Sequence, residues 1–352
     1  MTSLPGDSPL ARRTLELVDI PSPSHEEAAV YAYVRAEVPL PLVYDDGESL
    51  LYAKRSGKPL VLLAGHTDTV PAQGNIPGRI DGSAVHGLGS TDMKGGLAVM
   101  VELARWAADV ELAYDLGLLF FQREEVGPDQ NPLPGVFAAT PVIDEAALVI
   151  CLEPTDNTIQ LGCLGNLNAR VVFEGRAAHS ARPWLGVNAI ALALEGLRGV
   201  LELEPRDVDV QGLVFREVLS VTQLHGGIAM NVIPARVECM LNFRYAPDRT
   251  PESAEARVRE LVGRDVEILQ NSPAARVALD SPLVERLRRI GPFDVEPKQA
   301  WTNVADFSAR GLDAVNFGPG ATRYAHAAGE QVEIAQLERT YAALQQFLLG
   351  VN

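Results

Sequence analysis

Cysteine is scarce in this 352-residue sequence. Cys151, Cys163 and Cys239 are odd in number and show no C-x-x-C spacing, which argues against a disulfide framework or a thiolate zinc site. Long hydrophobic runs are missing as well. Apolar residues make up 47% of the chain, yet no segment approaches the ~18 uninterrupted apolar residues of a membrane helix. Residues 1–7 lack both a basic start and an apolar stretch, so no signal peptide is expected. Positive charge is in deficit: the net charge is −16 and no basic cluster occurs, which disfavours nucleic acid and anionic membranes as partners. Local arginines can still bind a small anion. No internal repeat or low-complexity segment is visible. These absences point to a soluble cytoplasmic chain, long enough for two domains and a sizeable core.

Residues 1 to about 165 alternate helix and strand. Pro9–Val18 reads as a helix with Ser8 as N-cap and Pro9 at its first position, and residues 25–38 as a second with Ser24 as N-cap. Strands are expected at 60–64, 116–121 and 147–152, with a helix at Gly95–Ala108 between the first two. The expected fold class is α/β, a mixed sheet with helices on both faces. From about Leu167 the pattern changes. Residues 168–173, 219–223 and 237–245 alternate like half-buried strands, with helices at 189–203 and 253–262 and a strand at 266–269. That β-α-β-β-α-β order describes a four-stranded ferredoxin-like unit. After about residue 278 the first pattern returns, with a strand at 315–317 and a closing helix at 333–349. The economical division is a catalytic domain in two parts, 1–166 and 278–352, interrupted by an inserted α+β domain at 167–277.

The chemistry-bearing residues fall just beyond strand ends, where open α/β sheets place their ligands. The apolar run Val61-Leu62-Leu63-Ala64 delivers His66 and, two residues on, Asp68. A carboxylate beside a histidine can hold the ring in one tautomer, a device common to metal-binding imidazoles. Alone, the pair would equally suit a satisfied strand-end histidine. It has company. Asp92 lies in a glycine-flanked turn where backbone can approach other groups closely; an N-cap for the following helix is its plainer role. Glu124 and Glu125 follow a buried run and point in different directions, so one can bind a metal while the other faces the attacking water. Glu153 ends another buried strand before Pro154, and His326 lies in a glycine-rich loop after a strand. Singly, the pair, Glu153 and His326 could each be solvated surface groups. Together they offer the mixed nitrogen and oxygen donors that suit zinc. A shared carboxylate, for which Asp92 is placed, holds two ions ~3.5–4 Å apart. His25, His86 and His225 have no such company and read as structural or exposed.

With these residues in hand, the chain resembles the zinc-dependent aminoacylase, carboxypeptidase and desuccinylase family over nearly its whole length. The resemblance rests on Gly65-His66-Thr67-Asp68-Thr69-Val70-Pro71, Gly89-Ser90-Thr91-Asp92-Met93-Lys94-Gly95-Gly96, Glu124-Glu125-Val126-Gly127, Glu153-Pro154 and the late His326. It implies a di-zinc aminopeptidase-like catalytic domain interrupted by a ferredoxin-like lid and dimerisation domain. His66 and Glu153 would hold one Zn2+ and Glu125 and His326 the other, with Asp92 bridging; Co2+ would substitute. Asp68 would orient His66, and Glu124 would be the general base. His179 matches a histidine of the inserted domain that binds the oxyanion, often across a homodimer. Asn231 and Arg244 match substrate-contacting positions, and Thr302 would reach the substrate from the late catalytic segment. The expected substrate is a small N-acyl amino acid.

Within the family the desuccinylases are nearest. Ala178-His179-Ser180-Ala181-Arg182-Pro183-Trp184, Trp301-Thr302-Asn303-Val304-Ala305-Asp306-Phe307 and Ala314-Val315-Asn316-Phe317-Gly318-Pro319-Gly320 carry that likeness, and Met230, where some desuccinylases have a second asparagine, departs from it. The alternatives are a deacylase for acetylornithine or acyl-lysine, a dipeptidase or carboxypeptidase, and a non-catalytic binding protein. The last has no need of a base such as Glu124.

Overall fold

The computed structural model describes residues 8–351; the segment 1–7, read above as lacking a signal peptide, lies outside the described residues, as does Asn352. The chain falls into two compact units. One comprises Met1–Leu161, Ala278–Glu296 and Asp306–Asn352, and the other Gly162–Val277 and Pro297–Ala305.

The first unit is built on an eight-stranded mixed sheet in the order Leu42–Asp45, Ser49–Lys54, Asp115–Phe121, Leu60–His66, Ala146–Cys151, Ala314–Asn316, Ile159–Leu161, Val295–Pro297. Leu60–His66 and Asp115–Phe121 are buried at every position, as strands covered on both faces must be. Leu60–His66 runs parallel to both of its neighbours, and Ala314–Asn316 runs parallel to Ala146–Cys151. The chain therefore leaves all four strands at one edge of the sheet. Asp68, the Glu124–Glu125 pair, Glu153 and the loop bearing His326 follow these strand ends directly. Gly95–Ala108 is a helix at the expected bounds. It packs against the same edge: a Cβ at Gly96 would sit 2.4 Å from the Leu152 carbonyl oxygen, so only glycine fits.

The structure corrects several local expectations here. The hairpin of Leu42–Asp45 and Ser49–Lys54 was not anticipated. The second helix is Ala28–Glu37, with Glu27 at its N-cap position. Ser24 does not cap it, because its hydroxyl donates to the buried Asp68 carboxylate instead. Ser8 does occupy the N-cap position of Pro9–Val18, though its side chain makes no capping hydrogen bond.

The second unit carries a five-stranded antiparallel sheet, not four. Its order is Arg206–Val210, Leu213–Gly226, Arg236–Tyr245, Gly165–Glu174, Glu267–Ser272. Arg206–Val210 was missed because its charged alternation buries only Val208; it turns back through Gln211 and Gly212, both at positive φ. The helix expected at 189–203 breaks at Leu197 into Ala189–Gly196 and Arg198–Leu201. Ala193, Leu197 and Val258 from the helices pack with Val171, Phe173 and Leu241 from the sheet. The unit begins before residue 167 because Gly165 already pairs with Tyr245. Pro297–Ala305, expected in the returning catalytic part, groups with it too: Gln299 accepts the Arg216 N–H at 3.0 Å and donates to the Val214 carbonyl at 2.8 Å.

Candidate metal centre

Six side chains of the first unit converge at the sheet edge. His66, Asp92 and Glu153 present donor atoms within 4.8 Å of one another, and so do Asp92, Glu125 and His326; Asp92 is common to both sets. A third grouping joins His66 with Glu124 and Glu125. His66 is almost fully buried, with Nε2 3.2 Å from Asp92 Oδ1 and 3.9 Å from Glu153 Oε1. His326 Nε2 lies 3.0 Å from Glu125 Oε1 and 3.6 Å from Asp92 Oδ2. His326 sits at φ 59° and Arg123, just before the acidic pair, at φ 60°. Both lie in the left-handed region that non-glycine residues seldom occupy and that recurs at functional sites.

Asp68 is in none of the groupings found among the described residues. It is fully buried and accepts three donors: the Ser24 hydroxyl at 2.7 Å, the Glu124 N–H at 3.0 Å and the Glu125 N–H at 3.1 Å. Its Oδ1 is 3.4 Å from His66 Nδ1, which also faces the Asp68 carbonyl oxygen at 3.1 Å. One carboxylate thus ties the His66 strand end to the turn bearing both glutamates. Burial works against the charged form, but His66, Ser24 and the Glu124 N–H outweigh it and bring the carboxyl down to about 2.

The cluster is electrostatically crowded. Burial, and then the charges of Glu153, Glu125 and Asp92, push the Glu124 carboxyl well above its ordinary range despite the opposing pull of His66. Burial alone would lower His66, yet Asp68, Asp92 and Glu153 raise it well above its ordinary value. His326 is raised to about 9, chiefly by Glu125. Excess negative charge around two imidazoles, with carboxylate oxygens on both sides of a shared aspartate, is the donor set that borderline divalent ions take. The residues fit such ions, and neighbouring ions would relieve the repulsion the carboxylates now impose on one another.

Two residues without an assigned role stand behind the centre. Glu330 is buried, and its carboxylate accepts the backbone N–H groups of Gly89, Thr91 and Asp92. Burial raises it to about 7. Lys94 is buried as well; its amine donates to the Ile20 carbonyl at 2.6 Å and burial lowers it to about 7. Sequence reasoning gave neither a role: Lys94 stands in the Asp92 motif as a lone amine, and Glu330 is a lone acid after small residues. His25 and His225 are exposed and His86 half-buried, and none joins the cluster.

The remaining candidates belong to the second unit. His179 lies on a short ribbon, Ala178–His179 paired with Val232–Ile233, where its Nδ1 accepts the Ala181 N–H at 3.0 Å. The Asn231 carbonyl accepts the Ser180 N–H at 2.9 Å, so the two candidates are neighbours, and both are exposed. Arg244 is half-buried, donates to Asn242 at 3.0 Å and lines a cavity of about 380 Å³ with Arg216 and Asp207. Thr302 is buried in the segment that the sequence placed in the catalytic part.

Comparison with known proteins extends these observations. The peptidase family M20/M25/M40 matches residues 62–350. The succinyl-diaminopimelate desuccinylase of Corynebacterium glutamicum is 36% identical over 349 residues, 95% of each chain. A Mycobacterium tuberculosis chain bearing that name in provisional form is 37% identical over 345 residues, 96% of this chain and 97% of its own. Aminopeptidase PepT of Bacillus cereus shares the fold, with a TM-score of 0.79 at 19% identity over 96% of this chain and 97% of its own. Motifs, fold and whole-length similarity agree: the chain belongs to peptidase family M20/M25/M40.

Proposed function

We propose that this chain is a metal-dependent amidohydrolase that cleaves N-succinyl-LL-2,6-diaminopimelate with water to succinate and LL-2,6-diaminopimelate. The observation that carries the chemistry is the sharing of Asp92 by two ligand triads with Glu124 beside them. The substrate rests on the two desuccinylase relatives, each matched over at least 95% of this chain.

In this reading His66 and Glu153 would hold one Zn2+ and Glu125 and His326 the other, with Asp92 contributing to both. When bound, the two ions polarise the scissile carbonyl and make water a nucleophile at neutral pH. Glu124 takes the proton released as water attacks and passes it to the departing amine, so the amide becomes a carboxylate and an amine. Glu124, grouped with His66 and Glu125 beside the shared aspartate, is placed for both halves of that transfer. Asp68 keeps the Glu124 and Glu125 backbone in place while orienting His66.

The second unit serves in this reading as lid and dimerisation domain of a cytoplasmic homodimer. Its sheet has open edges at Arg206–Val210 and Glu267–Ser272, and it leaves Trp184 and Leu194 exposed, which supports pairing with a copy. His179 donates to the developing oxyanion, while Asn231, Arg244 and Thr302 bind the substrate.

A panel of N-succinyl-diaminopimelate, N-acetylornithine and a dipeptide, assayed with zinc, tests the assignment. The succinyl compound should give the highest kcat/KM by at least tenfold. Preference for another arm reassigns the substrate within the family, and turnover of none with metal bound removes the hydrolase reading.

A further inference from the structure

We infer that Glu330 is a positioning residue that presets Asp92 for metal binding and couples it to the loop carrying His326. The inference rests on the reading that Asp92 and His326 hold ions. Glu330 follows His326 by four residues, on the loop entering the strand Gln331–Glu333. Its relative exposure is 2%, so substrate cannot touch it. Its carboxylate is nonetheless spent on one turn. Oε2 accepts the Gly89 N–H at 2.8 Å, and Oε1 accepts the N–H groups of Thr91 at 3.0 Å and Asp92 at 2.9 Å.

The turn needs this acceptor because of its own geometry. Gly89 has φ 77°, and Asp92 (φ −123°, ψ 94°) and Met93 (φ −129°, ψ 37°) are not helical. Buried N–H groups in such a segment lack a regular ladder and must find acceptors elsewhere. One carboxylate supplies three. The main chain reinforces the link: the Glu330 carbonyl accepts the Gly87 N–H at 3.0 Å, and the Thr91 hydroxyl donates to the Gln331 carbonyl. On the far side of the same loop, Gln73 Nε2 donates to the His326 carbonyl at 2.9 Å. Glu330 therefore fastens the turn bearing Asp92 to the segment that follows His326. Groups that orient ligands in this way typically change metal affinity 10–100-fold when removed.

Glu330→Gln replaces one acceptor oxygen with a donor that opposes the turn's N–H groups. Chelated wild type, Glu330→Gln, Glu330→Asp and Glu338→Gln, an exposed control on the helix Ile334–Leu349, should be titrated with Zn2+ by calorimetry and with Co2+ by visible absorption. Thermal unfolding of metal-free and loaded protein should accompany both. In the folded Gln variant one of two binding steps should weaken about 10- to 100-fold, with an altered Co2+ spectrum and activity that recovers as zinc is raised. The Asp variant, which keeps the charge but withdraws it, should weaken the same step and decides the matter if the Gln variant does not fold. The control should match wild type. Wild-type affinities and spectrum in folded variants, even with a lower melting temperature, would reduce Glu330 to a structural part and overturn the inference alone. A wild type that binds no ion, or binds two equally well after Asp92→Asn, would instead bring down the metal reading and this inference with it.

Discussion

The strand Leu60–His66 of the first unit is buried at all seven positions, whereas Gly165–Glu174 of the second alternates buried and half-buried residues along most of its length. The difference follows from what covers each sheet: a parallel sheet lies between layers, while an antiparallel one can leave a face to solvent. It extends to the candidate residues. Asp68 and Glu330 each meet three donors, and His66 is enclosed by carboxylates, so the charged chemistry of the first unit sits in a preformed frame. His179, on a two-residue ribbon, and Asn231, just before its partner strand, are exposed and are steadied largely through backbone. Groups that carry charge through a reaction need fixed partners; groups that greet a substrate need access to it.

The largest expected effect tests the enclosed side of that contrast. Glu124→Gln keeps size and loses the proton acceptor, so turnover should fall by at least ~10²-fold while metal content stays near two per chain, as read by elemental analysis. Glu125→Gln should show the reverse emphasis and lose metal first. Interchanged phenotypes would mean that the two adjacent carboxylates have been given each other's roles.

The open side comes next. An oxyanion donor is worth ~10²–10³ in kcat, so His179→Ala should cut turnover on that scale with zinc retained. Mixing His179→Ala with Glu124→Gln subunits, under conditions that let dimers exchange, distinguishes two arrangements. If His179 acts across a dimer, mixed dimers hold one intact composite site and regain activity. Confirmed heterodimers without recovery would place His179 in its own chain's site or away from the chemistry.

The two units also differ in how far sequence discloses them. His66, Glu124, Glu125 and Glu153 each follow an apolar run that reads as a buried strand, and parallel order then brings those strand ends together. Asp92 and His326 are flagged by glycines around them. Glu330 escapes because its burial depends on a turn 241 residues away in sequence, and nothing local distinguishes it from a solvated acid. In the second unit, alternation reveals strands with one apolar face but misses Arg206–Val210, whose outward residues are charged and whose buried contribution is a single valine. Thr302 was assigned to the wrong unit for a related reason: the hydrogen bonds of Gln299 to the strand Leu213–Gly226 leave no trace in composition.

A milder effect is expected at Arg244. Its guanidinium faces a cavity and carries a planar fork suited to a substrate carboxylate, which a lysine cannot reproduce. Hydrogen bonds to charged groups contribute ~1.5–3 kcal/mol, so Arg244→Lys should lower kcat/KM roughly tenfold or more, chiefly through KM. Steady-state kinetics with the succinyl substrate would show it. An unchanged KM would mean that Arg244 serves the cavity wall and not the ligand.

The smallest effect is a slope with pH, and its sign is determined by the crowded centre. In metal-free protein, His326 is raised to about 9 and His66 is raised well above its ordinary value. A group whose folded pKa exceeds its unfolded one, ~6.5 for histidine, stabilises the fold fully below the unfolded value. That contribution is lost as pH rises through the folded value. The acids Glu124, raised well above its range, and Glu330, raised to about 7, act in the same direction, since the fold favours their protonated forms. Over pH 6 to 9 these groups lower the melting temperature of metal-free protein, while Lys94, lowered to about 7, opposes them above pH 7 because the fold favours its neutral amine. Divalent ions replace the protons on the ligands, and binding strengthens as those protons become easier to displace. The melting temperature gained on adding zinc should accordingly grow across this range, by a few degrees for a chain of this size. Scanning calorimetry of chelated and zinc-loaded samples at pH 6, 7.5 and 9 measures it directly. A gain that is flat across the range would mean that ions and protons do not compete for these imidazoles, and the enclosed frame would hold something other than a metal pair.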